Sequence, residues 1–446
     1  MNQTIEFLDA IDNVYNREIP DDVLSRARQS LLDYIAVTCA GAEFQKSKLE
    51  RYLEFAEPEN GNYKAIGLNM NLAMNEAVFL NGLNGHALDF DDGTNSGIIH
   101  LGSPIFSLLL PLAQKYKKTV DEVLRAAIVG YETSYTMAIS IQPGHKALGY
   151  HATGTCGTLG TVIAASYMLN FTKEERFQAF ASASVAASGM LKVLDDGSEL
   201  KPYNVAKTAL LALTALRMSK AGFKGHADPL GGRGFLKMMT GRDDIQLKPV
   251  LQNGTYAIMK TYTKPYASCR YTHPSVEVAI NLRNKFNLKP ADIERIDIKT
   301  YDLAVAGHDH TDIPGSYSAK MSTPYAVAAG LIYGRAGLQE FSEDMVKNEE
   351  ILELTKKVHV MPDEQLSREF PDIQAAIETI TAKSGTFTER VDFPKGEPEN
   401  PLTESEFKCR YDMLMMYSGI SSNIADSVYE MITQYTVAAD EILKNL

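Results

Sequence analysis

The stretch TVDEVLRAAIVGYE (119–132) carries a helix start and a helix body in one reading. Thr119 can accept from a free backbone amide, Glu122 stands three places on to close a capping box, and the apolar residues behind them recur at spacings of three and four. Thr172 and Glu175 repeat the scheme. Between the two caps, GTCGTLGTVIAAS (154–166) sets Gly154, Gly157 and Gly160 about one turn apart, which lets neighbouring backbones approach closely. The same helical texture runs from Pro20 to about Gly241, with strand signals nearly absent.

After Tyr266 the pattern changes. IERIDIKTY (293–301) and KKVHVMPD (356–363) read as short strands, and IETITAKSGTFTERVDF (377–393) reads as a hairpin turning at Lys383-Ser384-Gly385. PSVEVAINLRNKF (274–286) and TPYAVAAGLIYG (323–334) are helical between them. A Pro- and Glu-rich loop, PKGEPENPL (394–402), then returns the chain to helical sequence up to Leu446. The expected fold is mainly α: a large all-helical domain over 1–266, completed by 400–446, with a smaller α/β domain inserted over 267–399. No fixed-period repeat and no low-complexity tract interrupts it.

The 446 residues are 45% apolar and 22% charged, an ordinary globular composition. With 44 Lys and Arg against 56 Asp and Glu, the net charge of −12 gives no field that draws the chain to DNA, RNA or anionic lipid. An anionic ligand must therefore be held by a local group of cations. Cys39, Cys156, Cys269 and Cys409 lie far apart without paired metal-ligand spacing, which suits a reduced intracellular protein. The start MNQTIEFLDAIDN is acidic and amphipathic, unlike an export signal, and apolar runs such as Ile105 to Ala113 fall short of the roughly 20 residues of a bilayer span. A cytoplasmic protein with no membrane partner is expected.

Four clusters could carry chemistry. In NGLNGHALDFDDGTNSGIIHLGSP (81–104), His86, Asp89, Asp91, Asp92, Thr94 and His100 crowd into apolar helical sequence, where polar groups must be solvated, paired or used. A helix running on through Asp89 would set His86 and Asp89 on one face, with Asp92 extending it. The bland reading is a capped helix end with a solvated acidic loop. DDGTN also echoes the Asp-rich Mg²⁺ motif of helical prenyl and terpene synthases, but the nearest second motif, Asn423, Ser427 and Glu430, has the wrong final spacing. An HD-type phosphohydrolase lacks its separate His and Asp ligands here.

The second cluster is LGYHATGTCGTLG (148–160), where His151 precedes a Gly- and Thr-rich helix start, a position more often filled by a structural histidine. The third is DDGSELKPYNVAKTAL (195–210), where Lys201 stands between an acidic turn and an apolar helix while Lys207 reads as surface. Alone, a lysine before proline reads as a loop charge. The fourth, KTYTKPYASCRYTHPSVEVA (260–279), packs Lys264, Cys269, Arg270, Thr272 and His273 around two prolines at the expected domain boundary. Cys269 suits packing better than nucleophilic attack. Lys264 and Arg270 suit carboxylate recognition, and His273 suits proton transfer.

Taken together these runs resemble the MmgE/PrpD family, which includes 2-methylcitrate dehydratases, cis-aconitate decarboxylases and iminodisuccinate epimerases. NGxxxHxLDFDD (81–92), GYHxTGTxGTLG (149–160), LKP (200–202), KPYxSCRYTHP (264–274), MSTPYAVA (321–328) and PKGxPENPLT (394–403) occur in the family's order. The resemblance implies an all-α domain with an α/β lid, a homodimer, no cofactor and no metal. It also implies an active site of Asp89, Thr94, His100, His151, Lys201, Lys264 and His273 in a cleft between the domains; beside it, the residue reading adds Asp92 and Arg270 as substrate contacts. The implied reaction is cofactor-independent proton transfer next to a carboxylate of a small di- or tricarboxylate. A hydroxy-acid dehydratase comes first, an epimerase or decarboxylase next. In those roles His100 or His151 is the acid or base, His273 assists, Asp89 orients a histidine, and Lys201, Lys264 and Arg270 hold carboxylates. From other classes, a Mg²⁺-dependent prenyl-type synthase and a non-catalytic helical interaction protein stand as alternatives.

Overall fold

A computed structural model describes residues 2–193, 198–434 and 436–446, and the protein is mainly helical. The chain forms two compact units, one of Met1–Lys192, Leu200–Thr261 and Ser405–Leu446, the other of Val193–Glu199 and Tyr262–Glu404. Among the described residues, no helix is long and apolar enough to cross a membrane.

The elements of the first unit that bear on the site are α1 (Asp21–Phe44), β1 (Asn60–Ala65), β2 (Met70–Leu72), α2 (Met74–His86), α3 (Gly102–Tyr116), α4 (Val120–Ile141), α5 (Ala152–Met168), α6 (Lys173–Ala186) and α7 (Lys201–Lys220). Both capping boxes form as read, Thr119 with Glu122 and Thr172 with Glu175. Every residue of α5 is buried, which is what a helix apolar on all sides requires. Helices α3, α4, α6 and α7 surround it. The glycines make this possible: a Cβ on Gly160 would stand 1.8 Å from Ser134 Oγ and 2.5 Å from the Gly130 carbonyl oxygen, both on α4. The small antiparallel hairpin of β1 and β2 was not legible in the sequence, because NGNYKA offers little apolar alternation. It is held by Ala65 and Leu72 packing with Ala77 and Leu80 of α2.

The second unit contains α8 (His273–Phe286), β3 (Ile293–Thr300), α9 (Thr323–Tyr333), β4 (Val358–Pro362), β5 (Ala376–Ala382) and β6 (Gly385–Val391). The sheet order is β4-β3-β5-β6, with β3 parallel to β4 and antiparallel to β5. The hairpin turns where expected, Ala382 pairing with Gly385, whose φ of 136° favours glycine. On β3, Ile296, Ile298 and Thr300 are buried while Glu294, Arg295 and Lys299 are exposed, so one face forms the core. Helix α8 packs on β5 and β6, and α9 packs on β4.

One residue breaks the apolar rule on that inner face. Glu378 lies in register between Ile298 and Glu389, is fully buried, and has no hydrogen-bond partner for either carboxyl oxygen. Its neighbour Glu389 is satisfied by Asn281 and Lys285 of α8. Burial alone holds the Glu378 carboxyl well above the usual carboxylate range. A carboxyl with a raised folded pKa adds no pH-dependent cost below its unfolded value of about 4.3, then destabilises increasingly as pH rises toward the folded value. Glu378→Met is therefore expected to stabilise the protein by about 1–3 kcal/mol at neutral pH. The gain should shrink toward pH 4.5 in urea denaturation, and a loss of stability, or a gain independent of pH, would contradict this account.

Candidate active site

Helix α2 ends at His86, and the next turn decides the site. The Asp89 amide donates to the His86 carbonyl at 3.1 Å, and Asp89 takes φ of 50°, a left-handed conformation that Asp tolerates better than most residues. The helix does not run on through Asp89, so the condition for His86 and Asp89 to share one helical face is not met. Asp89 and Asp92 leave the helical face, and residues 87–101 form a loop, buried except around Asn95, Ser96 and Ile98, that is closed by the Thr94–Ile99 bridge before α3 begins at Gly102.

A buried loop with three carboxylates needs donors, and several helices supply them. Asp92 accepts from the Gly102 amide at 2.9 Å and from Tyr131 Oη of α4 at 2.6 Å. Burial outweighs these bonds and pushes its carboxyl up to about 6. Asp92, expected to touch substrate, is thus committed to the protein at both oxygens. Asp91 accepts from Ser103 Oγ at 2.8 Å and from His86 Nδ1 at 2.7 Å. Because a carboxylate only accepts, His86 Nδ1 carries the proton, and its Nε2 is buried without a hydrogen-bond partner. The Phe90 carbonyl accepts from Arg410 at 2.8 Å, and Arg410, on the helix Glu404–Tyr417, also forms a buried ion pair with Asp33 of α1.

His100 donates from Nδ1 to the Asp92 carbonyl at 2.8 Å, which turns Nε2 toward Asp89 Oδ1 at 3.8 Å. Asp91 Oδ1 is 3.5 Å from its Nδ1. The His86 and His100 rings meet edge to face at 4.5 Å. His151 stands at the start of α5, as the sequence predicts, with its ring 6.4 Å from that of His86 and its Nδ1 buried without a hydrogen-bond partner. Burial, then the charge of Lys201, holds its pKa well below the ordinary histidine value, so it is neutral at physiological pH. Lys201 opens α7 with Pro202 behind it, and its Nζ lies 2.8 Å from Asp89 Oδ1. The acidic turn at Asp195 and Asp196 lies outside the described residues. Thr94 is buried, and its Oγ1 has no hydrogen-bond partner.

The first unit therefore gathers Asp89, His100, His151 and Lys201 as expected, and adds His86, which the motif at 81–92 contains but which was not assigned a role. In the second unit Lys264 is buried. Arg270, expected to hold a substrate carboxylate, instead forms a buried ion pair with Glu397. It also donates to His273 Nδ1 at 2.8 Å, while His273 Nε2 faces the Ser268 carbonyl at 3.1 Å. Both ring nitrogens of His273 are thus engaged with protein groups. Cys269 is buried as expected, with Sγ 4.0 Å from His308 Nε2. Asn423, Ser427 and Glu430, the candidate second Mg²⁺ motif, are exposed, unlike the buried aspartates.

Comparison with known proteins bears on most of the chain. The MmgE/PrpD N-terminal domain matches residues 6–248, and the MmgE/PrpD C-terminal domain matches residues 266–416. A cis-aconitate decarboxylase of Aspergillus terreus is 26% identical over 439 residues, covering 92% of this chain and 89% of that protein. A cis-aconitate decarboxylase of Mus musculus is 24% identical over 425 residues, covering 92% and 86%.

The Asp33–Arg410 pair is the support whose removal is easiest to read. Burial raises the Asp33 carboxyl while Arg410 draws it back down. Arg410→Met removes the larger of two cationic contributions at Asp33, Arg26 supplying the other, and frees the Phe90 carbonyl, at an expected cost of up to about 3 kcal/mol in urea denaturation. The double variant with Asp33→Asn should recover much of the loss. Additive losses in the two variants would rule out the coupling.

Proposed function

The chain belongs to the MmgE/PrpD family, and from that membership and the buried cluster around Lys201 we propose that it is a lyase acting on a small di- or tricarboxylate, with decarboxylation of an aconitate-like substrate as the leading reaction. The relatives named above support decarboxylation over the hydroxy-acid dehydration that the motifs alone placed first. The observation that carries the proposal is the meeting of one ammonium, Lys201, with two imidazoles in different electrostatic settings.

Lys201 pairs with a substrate carboxylate and stabilises the charge that develops beside it. In decarboxylation the bond to one carboxylate breaks, CO₂ leaves, and the electron pair remains on the carbon chain as an enolate-like anion that a protonated imidazole quenches. His100 is assigned as that acid, because an imidazolium there has Asp89 at 3.8 Å and Asp91 at 3.5 Å to balance it. His151, neutral by burial, is assigned as a base. Dehydration is the second reading, favoured by this pairing of one acid with one base. Epimerisation would use the same pair. A lid role for the α/β unit, carboxylate anchoring by Lys264 and a homodimeric assembly enter the proposal from the motif resemblance alone.

Incubation in D₂O with cis-aconitate, citrate, 2-methylcitrate and iminodisuccinate, followed by NMR, separates CO₂ release, water loss and simple exchange. CO₂ release from cis-aconitate is expected. Lys201→Met should lower kcat/KM by about 10²–10³ and His100→Gln by about 10²–10⁴. Where His151 acts as base, its depressed pKa keeps it deprotonated well below pH 6.5, so the acidic limb of its kcat/KM profile should lie below that value. If no compound on the panel reacts or exchanges, or if Lys201→Met retains the parent rate, the proposal fails.

A further inference from the structure

We infer that the histidine–aspartate cluster of the first unit is also a binding site for a zinc-type divalent ion, which competes with Lys201 for Asp89. His86, Asp89, Asp91 and His100 are all buried, and each offers a ligand atom within 4.8 Å of the others. The tautomers favour coordination. His86 Nδ1–H is held by Asp91 at 2.7 Å and His100 Nδ1–H by the Asp92 carbonyl at 2.8 Å, so both rings present Nε2. Metal-binding imidazoles are oriented in this way, with the far N–H held by a carboxylate or carbonyl.

The second line of evidence is the set of buried ring nitrogens with no hydrogen-bond partner. His86 is 1% exposed and its Nε2 has none. His151 Nδ1 is another such atom in the same neighbourhood. A buried nitrogen in this state is costly, and a cation is one group that satisfies it.

The donor set also selects the ion. Two imidazole nitrogens and a carboxylate oxygen suit Zn²⁺ or Co²⁺, whereas Mg²⁺ and Ca²⁺ favour oxygen ligands. The direct donors are His86 Nε2, His100 Nε2 and Asp89, with Asp91 behind His86. Zinc bonds of about 2.0–2.2 Å place tetrahedral donors roughly 3.3 Å apart, closer than the 3.8 Å between His100 Nε2 and Asp89 Oδ1, so the cluster must contract. Lys201 Nζ, 2.8 Å from Asp89 Oδ1, must withdraw as it does so. The ion and the ammonium therefore exclude one another, and zinc removes the group assigned to hold a substrate carboxylate.

Metal-free full-length protein titrated with Zn²⁺ by calorimetry, and with Co²⁺ by visible absorption, tests this without an activity assay. The expected result is one ion per chain, with the intense visible bands of four-coordinate cobalt. Asp91→Asn should weaken binding about 10–100-fold. His86→Ala should abolish the cobalt bands, and Lys201→Met should tighten binding. Circular dichroism checks the folding of each variant, and Asp91→Asn decides if His86→Ala does not fold. No saturable binding at one ion per chain, or binding by folded His86→Ala or Asp91→Asn as tight as the parent's, overturns the inference. Zinc binding in a protein that turns over none of the four acids would sink the proposed reaction and leave the metal site standing.

Discussion

Asp89, Asp91 and Asp92 are carboxylates inside a helical interior, and the first unit is organised around satisfying them. A buried carboxylate without donors costs several kcal/mol, so each must meet a proton donor or a cation. Asp92 takes Gly102 and Tyr131, Asp91 takes Ser103 and His86, and Asp89 takes Lys201. Those partners come from α2, α3, α4 and α7. The loop at 87–101 can therefore hold one shape only while these helices keep their places. The close α4–α5 contact at Gly130 and Gly160 acts at the same centre, because it sets how near Tyr131 and His151 can come to the loop.

Local regularities of the fold were legible. Capping boxes, the glycine spacing of α5 and the alternation of β3, β5 and β6 are encoded within a few residues, where short-range sterics and hydrogen bonding decide the outcome. The end of α2 was less so. Nothing in HALDFDD marks Asp89 rather than Asp92 as the residue that turns left-handed, since Asp tolerates that conformation anywhere it is needed. Long-range pairing was not legible at all. Asp33 and Arg410 are 377 positions apart, and each alone reads as a surface charge on an amphipathic helix. Glu378 misleads in the same way, since the alternation fixes which face it occupies but not that its partners on that face are absent.

The candidate site divides along the same line. His100, His151, Lys201 and Asp89 stand in short motifs that announce themselves by crowding polar groups into apolar sequence, and the fold gathers them. Arg270 and His273 crowd in the same manner but serve each other and Glu397. Composition cannot separate the two cases, because a guanidinium aimed at substrate and one aimed at a buried glutamate have the same sequence signature. The discriminating feature is Glu397, 127 positions away in the loop that reads as polar linker.

On the proposed reading, Lys201 links binding to proton transfer. Its charge is shared with Asp89, so an incoming carboxylate must take part of the ammonium from that residue. Asp89 then keeps His100 Nε2 at 3.8 Å, and its carboxylate favours an imidazolium there. Substrate binding would in this way load the acid that the reaction consumes, although the protein as a whole carries a net charge of −12. A divalent ion at the same aspartate would reverse the effect, because it would take the His100 lone pair and the carboxylate together and leave neither a proton to deliver nor an ammonium in place. On both proposals, the arrangement that makes Asp89 useful to a carboxylate substrate is the one that exposes it to zinc.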